Sequence, residues 1–212
     1  MYIDQFSLNQ YKKFCGYEGS EHIVSEFALK NILLLIKKFD VEKTLEIGVG
    51  IGTISGSIIM FSEKQNLEIQ VFGTEANEFC LGQIPLNLGE HVEKLNLYRD
   101  LSEISTSELF DLIIVDGSEK NLEKVQSLIN PNGIILIEGD RTDQVETIKR
   151  IFKNLKYVQL ISLNRNGEYS VKRSVDYQGG LKVIFIRTTR KQLLYWFSSK
   201  IKTKMKYFMR RH

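Results

Sequence analysis

Residues 44–56 read TLEIGVGIGTISG: a β-rich apolar run, glycines at 48, 50 and 52, then small residues opening a helical stretch. Strand, glycine loop and helix in that order form the unit with which α/β sheets bind ligands, outside the carboxyl ends of the strands. Glycines at alternate positions let the backbone turn tightly and approach a ligand closely. Glu46 stands two residues before the first of them. A dinucleotide fingerprint runs G-x-G-x-x-G and sets a pyrophosphate on the helix N-terminus. Here the spacing is G-x-G-x-G, and an acid at position 46 would repel a pyrophosphate. It suits a ligand bearing an ammonium or sulfonium group.

On the N-terminal side of the loop, EHIVSEFALKNILLLIKK (21–38) places Ile23, Phe27, Ile32 and Leu35 at helical spacing, which predicts a helix capped by Ser20. Beyond the loop, LEIQVFGTE (67–75) reads as a strand and NEFCLGQIPLNLG (77–89) as a helix interrupted at Pro85. LNLYRD (95–100) is a third strand. FDLIIVDG (110–117) reads as a strand whose run Leu112–Val115 is continuously apolar, as burial on both faces requires. EKNLEKVQSLIN (119–130) predicts an amphipathic helix, NGIILIEGD (132–140) a buried strand and TDQVETIKRIFKN (142–154) a helix. KYVQLISLN and GGLKVIFIR have no helix between them, so an antiparallel pair at one sheet edge is expected. Alternating strands and helices mean an α/β domain with a largely parallel sheet.

Bulk properties agree. The 212 residues suit one sizeable domain, and two prolines with 42% hydrophobic residues give no sign of disorder. Cys15 and Cys80 stand far apart without metal-type spacing, which suits a reducing cytosol. The polar N-terminus does not read as a signal peptide, and ILLLI (32–36) is too short to span a bilayer. A cytoplasmic protein is expected.

The second strand ends at Glu75, whose carboxylate can accept from both hydroxyls of a ribose. The third ends at Asp100, placed to accept from an adenine amine. Acid, glycine loop, acid and acid on successive strand ends describe a pocket for an adenosine with a positively charged tail. The implied ligand is S-adenosylmethionine.

These pieces, over roughly residues 20–187, resemble the class I, Rossmann-like S-adenosylmethionine-dependent methyltransferases. LEIGVGIGT resembles the family's first motif, VFGTEAN its second, LYRD its third, FDLIIVDGS its strand-four motif, and INPNGIILIEG the loop and fifth strand. The resemblance implies a three-layer α/β fold with a seven-stranded, mostly parallel sheet whose last strand is antiparallel. It implies a domain over 1–187, with 1–40 as an N-terminal substrate and lid segment. Its cofactor site would comprise Glu46, Gly48, Val49, Gly50, Gly52, Thr53, Glu75, Ala76, Asp100, Leu101 and Asp116. Asp116 would face the transferred methyl group.

Methyl transfer from a sulfonium is an in-line displacement, so the protein positions the acceptor and removes its proton. Asp116, Glu138 and Asp140 are the catalytic candidates, with His91 a weaker one; Lys120 and Arg141 are placed to bind an acidic substrate. The closest look is to the small catechol- and caffeoyl-type O-methyltransferases and their bacterial relatives. Those hold a divalent metal with an Asp at the end of strand four and an Asp-Asn pair after strand five. Asp116 matches the first, but the pair falls on Gly139 and Asp140, so one carboxylate is missing, and a hard cation needs several oxygen ligands. No metal ligand is assigned, although Glu138 is a possible substitute. His22 reads as structural and Cys80 as a packing residue. The segments 1–20 and 164–179 carry Tyr2, Phe6, Tyr11, Tyr17, Tyr169 and Tyr177 among polar residues, and frame the acceptor.

The expected activity is O-methylation of a small molecule or glycan. The alternatives are a cofactor-binding scaffold without catalysis, and a nucleic-acid methyltransferase. The latter fits poorly with a net acidic core and with VDGS after strand four. Residues 187–212 hold nine Lys/Arg and no acid, leaving 20 basic and 26 acidic groups in 1–186. As a helix over 188–212, Leu194, Phe197, Ile201, Met205 and Phe208 share one face. That pattern suits contact with an anionic membrane through 190–212, at the inner face if cytoplasmic. Packing on the body or in a homodimer, and nucleic acid, are the other readings.

Overall fold

The computed structural model describes residues 2–211 apart from 118, 120 and 140, and of Arg211 the backbone alone. Seven strands form one sheet: β1 Lys43–Ile47, β2 Gln70–Thr74, β3 Leu95–Tyr98, β4 Phe110–Val115, β5 Ile129–Glu138, β6 Lys156–Leu160 and β7 Leu181–Phe185. Their order is β3-β2-β1-β4-β5-β7-β6. The pairs from β3 to β5 are parallel, and β7 runs antiparallel to both β5 and β6. The order reverses between β1 and β4, and the glycine loop follows β1 at that switch point, where doubly wound sheets bind ligands.

Helices α1 Tyr2–Cys15, α2 Glu26–Phe39, α3 Thr53–Gln65 and α4 Glu78–Leu88 bury one sheet face; α5 Val125–Leu128 and α6 Thr142–Ile151 bury the other. The pleat divides the central strands between two cores. Leu112 and Ile114 of β4 join the first, and Ile113 and Val115 the second. Burial on both sides explains the apolar run Leu112–Val115 of this strand.

Four local features differ from the sequence expectation. Ser20 does not cap α2. A short 3₁₀ turn, Ser20–His22, precedes it, and the cap is Ser25, whose Oγ accepts from Ala28 N at 3.2 Å and donates to Gly179 O at 3.1 Å. Pro85 does not interrupt α4. It stands on the solvent side, where water can satisfy the carbonyl one turn back. In place of the full helix expected over 119–130, the described residues 121–130 make a 3₁₀ turn (Leu122–Lys124) and the single turn α5, because β5 begins at Ile129. Finally, residues 2–15 are helical and largely structural. Ile3, Phe6, Tyr11 and Phe14 are buried, and Tyr11 Oη lies 2.7 Å from Ser170 Oγ. That contact ties the N-terminal helix to the 164–179 segment.

Helix α7, Arg190–Arg211, lies along the edge strand β6. Trp196 Nε1 donates to Tyr157 O, Thr203 Oγ1 to Gln159 O and Lys206 Nζ to Ile161 O, each at 2.8 Å; Arg210 Nε donates to Ser162 O at 2.9 Å. The first three carbonyls alternate along the chain, so they are the outward-facing acceptors of an edge that would otherwise stay open to pairing. Among the described residues no helix is long and apolar enough to cross a membrane.

Candidate functional site

Gly48, Gly50 and Gly52 all adopt positive φ, at 84°, 58° and 94°. The need is steric at Gly48. A Cβ there would sit 2.6 Å from Gly117 N and closer still to its Cα. Gly117 N and Asp116 N in turn donate to Ile47 O, at 2.7 and 2.9 Å. The loops after β1 and β4 are thus pressed backbone to backbone, and Asp116 is held across from the glycine loop. At Gly50 the space for a Cβ is open.

Two cavities flank this loop. One, of about 390 Å³, is lined by Glu46, Val49, Gly50, Thr53 and Asp116, and also by His22, Phe79 and Cys80. The other, of about 310 Å³, is lined by Gly48, Glu75, Ala76, Asp100, Glu119 and Asn121. The residues expected from sequence therefore sort into two halves. Leu101 and Gly52 line neither: Leu101 is core, and Gly52 caps α3 against Leu88. Glu138 lies close enough to Asp116 to act on its charge and near Gly179, but it does not line the cavity. Asp140 and Lys120 are outside the described residues. A larger groove of about 800 Å³ lies at the opposite edge, beside Lys43, Gln70 and Asp111.

Glu46 is buried. Its Oε2 accepts from Ser55 N at 2.8 Å and from Ser55 Oγ, while its Oε1 has no partner among the described residues. Thr53 Oγ1, in the same cavity lining, is equally unpaired. Buried polar atoms left without partners are costly, so these two mark a place for a polar ligand. Burial pushes the Glu46 carboxyl well above the usual range, and Asp116 and Glu75 add to this, against the Ser55 hydrogen bonds.

Glu75 reaches back to the loop: Oε2 accepts from Gly50 N at 2.7 Å and Oε1 from Asn77 N at 2.8 Å. A carboxylate has about four lone-pair sites, so each oxygen retains capacity for a hydroxyl. Asp100 Oδ1 accepts from Ser102 N at 2.6 Å, and that hydrogen bond holds its carboxyl below the ordinary value.

The Asp116 side chain is 14% exposed. Burial first, then the Glu138 charge, push its carboxyl up to about 8; Arg141 and Lys172 oppose the shift. Arg141 spans the ends of β4 and β5, donating through Nε to Glu138 O at 3.0 Å and through Nη2 to Asp116 O, with Asp116 Oδ1 at 3.4 Å. It is thus committed to the strand ends instead of standing free for an acidic substrate. His91 lies elsewhere, with Nδ1 3.1 Å from Glu63 Oε1. His22, read as structural, is exposed and lines the cavity, because the 3₁₀ turn breaks the helix that would have turned it inward. Gly139 takes φ 71°, and no group of three His, Cys, Asp or Glu among the described residues is placed to hold a metal.

No protein-family model and no curated protein matches the chain. Solved structures do. An O-methyltransferase from Bacillus cereus in complex with SAH is 16% identical, with TM-score 0.58 over 85% of this chain and 90% of that one. TomG, an O-methyltransferase from Streptomyces achromogenes in complex with SAM, is 13% identical, with TM-score 0.59 over 87% and 90%. The tRNA (m1A58) methyltransferase TrmI from Aquifex aeolicus is 17% identical, with TM-score 0.58 over 84% and 76%. The chain has the Rossmann-like fold of the class I S-adenosylmethionine-dependent methyltransferases.

Proposed function

We propose that the protein is an S-adenosylmethionine-dependent methyltransferase acting on an oxygen of a small molecule or glycan. The observation that carries the reading is the pair of partnerless buried oxygens, Glu46 Oε1 and Thr53 Oγ1, beside the open space at Gly50. An acceptor-rich wall of this kind fits an ammonium and a sulfonium. On the other side of the loop, Glu75 and Asp100 fit a ribose and an adenine amine. The cofactor would supply an activated methyl group. The chain's own task is to hold the acceptor and take its proton.

Asp116 lines the cavity that holds Glu46 and carries the raised pKa expected of a base working near neutral pH. Both carboxyls ionise more readily beside a cation. Glu138 raises the basicity of Asp116, and Arg141 keeps the strand ends in register. Two of the solved neighbours are O-methyltransferases, which supports oxygen as the acceptor atom. The proposal is tested by transfer of labelled methyl from S-adenosylmethionine to a panel of hydroxylated small molecules and glycans. Transfer to a hydroxyl, rising with pH, is expected. Transfer to nucleic acid alone would replace this substrate class.

Glu75→Ala removes an acceptor of ribose hydroxyls and frees the Gly50 amide. We expect S-adenosylhomocysteine to bind about 1.5–3 kcal/mol more weakly, since bonds to charged groups contribute on that order. Calorimetric titration of the variant checks this, and an unchanged affinity would move the ribose away from Glu75.

A further inference from the structure

Helix α7 is amphipathic in an unusual sense. The side that docks on the body carries Gln192, Trp196, Ser199, Thr203, Lys206 and Arg210, and five of these six hydrogen-bond main-chain carbonyls of the body. A half-turn around the helix, Leu194, Phe197, Ile201 and Met205 lie between 48% and 72% exposed, and Leu193, Phe208 and Met209 are exposed next to them. A contiguous apolar stripe of this kind marks an interaction surface.

Charge selects the occupant. Lys202 flanks the stripe on one side and Lys200 and Lys204 on the other, and α7 holds no Asp or Glu. On the Lys202 side the stripe borders a groove of about 530 Å³ between α2 and α7. Lys30, Lys37, Lys38, Lys202 and Lys206 line it over an apolar floor that includes Phe27 and Leu34, and no carboxylate lines it. Burial, and after it the charges of Lys30, Arg210 and Lys202, lower the Lys206 pKa; of these groove lysines Lys30 is itself paired with Asp4. A second copy meeting this one stripe to stripe would oppose lysine to lysine with no acid on the helix to relieve it.

We infer that α7 lies in the headgroup plane of an anionic phospholipid bilayer, with the Leu194–Met205 stripe in the acyl boundary. The flanking lysines and the α2–α7 groove hold lipid phosphates. Each basic residue near such a surface adds roughly fivefold to binding and is screened by salt. This inference stands independently of the methyl-transfer reading.

Truncation would also uncover the edge of β6, so the test uses point variants of the full chain: Phe197→Ser with Met205→Ser, and Lys202→Glu with Lys204→Glu. Co-sedimentation is measured with phosphatidylcholine vesicles, and with vesicles containing about one third phosphatidylglycerol, at low and high salt. The wild type should bind only the anionic vesicles and release as salt rises. Each double variant should keep the wild-type melting temperature; the serine pair should bind roughly thirtyfold more weakly, and the glutamate pair, which adds two repelled charges to the loss of two lysines, more weakly still. The inference is overturned if the wild type ignores anionic vesicles at low salt. It is also overturned if sedimentation shows a dimer that Phe197→Ser with Met205→Ser dissociates, or if RNA binds and anionic vesicles do not.

Discussion

Gly48→Ala is expected to lower stability by about 3 kcal/mol or more, a fall in Tm of roughly 6–12 °C for a domain of this size. The methyl group would enter the backbone of Gly117, which no rotamer can move, and would do so at φ 84°. The same conformational penalty applies to Gly50→Ala at φ 58°, but there the methyl meets open space, so the cost should stay near 1–2 kcal/mol. Gly50→Ala should instead reduce ligand affinity, because Gly50 lines the same cavity as Glu46 and Thr53 and the methyl would take up ligand space. Thermal unfolding of the two variants separates packing from pocket. Equal losses of stability would mean that the contact between the β1 and β4 loops does not hold them together.

Asp116→Asn should reduce turnover about 10²–10⁴-fold while leaving S-adenosylhomocysteine affinity within a few-fold, because proton removal is lost and shape is kept. The pH dependence is a second signature. With its folded-state pKa pushed up to about 8 in the free chain, Asp116 gains the ionised, basic form as pH rises, and a bound sulfonium favours that form, so wild-type turnover should climb with pH to a midpoint below about 8. Stability runs the other way. The unfolded pKa is about 3.9, so between about pH 4 and 8 the folded chain holds a proton that the unfolded chain has released. This carboxyl therefore makes stability fall as pH rises across that window. Asparagine does not titrate, so the variant should lose that slope and match or exceed the wild type in Tm at pH 8. A variant with full turnover would make Asp116 a structural group.

The central strands were legible because their chemistry is redundant. In 110–115 every position but Asp111 is apolar, and both cores take a share. The glycine spacing and the acids at 46, 75 and 100 pointed to one pocket at the strand ends, since loop and strand ends follow from chain order alone; the structure has two cavities there, one lined by Glu46 and the other by Glu75 and Asp100. What escaped was determined by tertiary contacts. The face formed by Ile3, Phe6, Tyr11 and Phe14 is present in the sequence, but polar neighbours disguise it. His22 reaches the cavity only because Ser25, not Ser20, starts α2. The stripe of α7 is visible in the periodicity, yet its orientation is not. Hydrogen bonds from Trp196, Thr203, Lys206 and Arg210 to the β6 side turn the helix apolar side outward. Pairing of Arg141 with the ends of β4 and β5 likewise depends on strand order rather than on local pattern.

The central claim is that the cavities on either side of the glycine loop accept adenosine with a cationic tail. Isothermal calorimetry with S-adenosylmethionine, S-adenosylhomocysteine and NAD tests it most directly. Binding of both sulfur nucleotides without measurable binding of NAD is the predicted result. Tight binding of NAD with no heat from either sulfur nucleotide would contradict the account, because Glu46 would then stand beside a pyrophosphate.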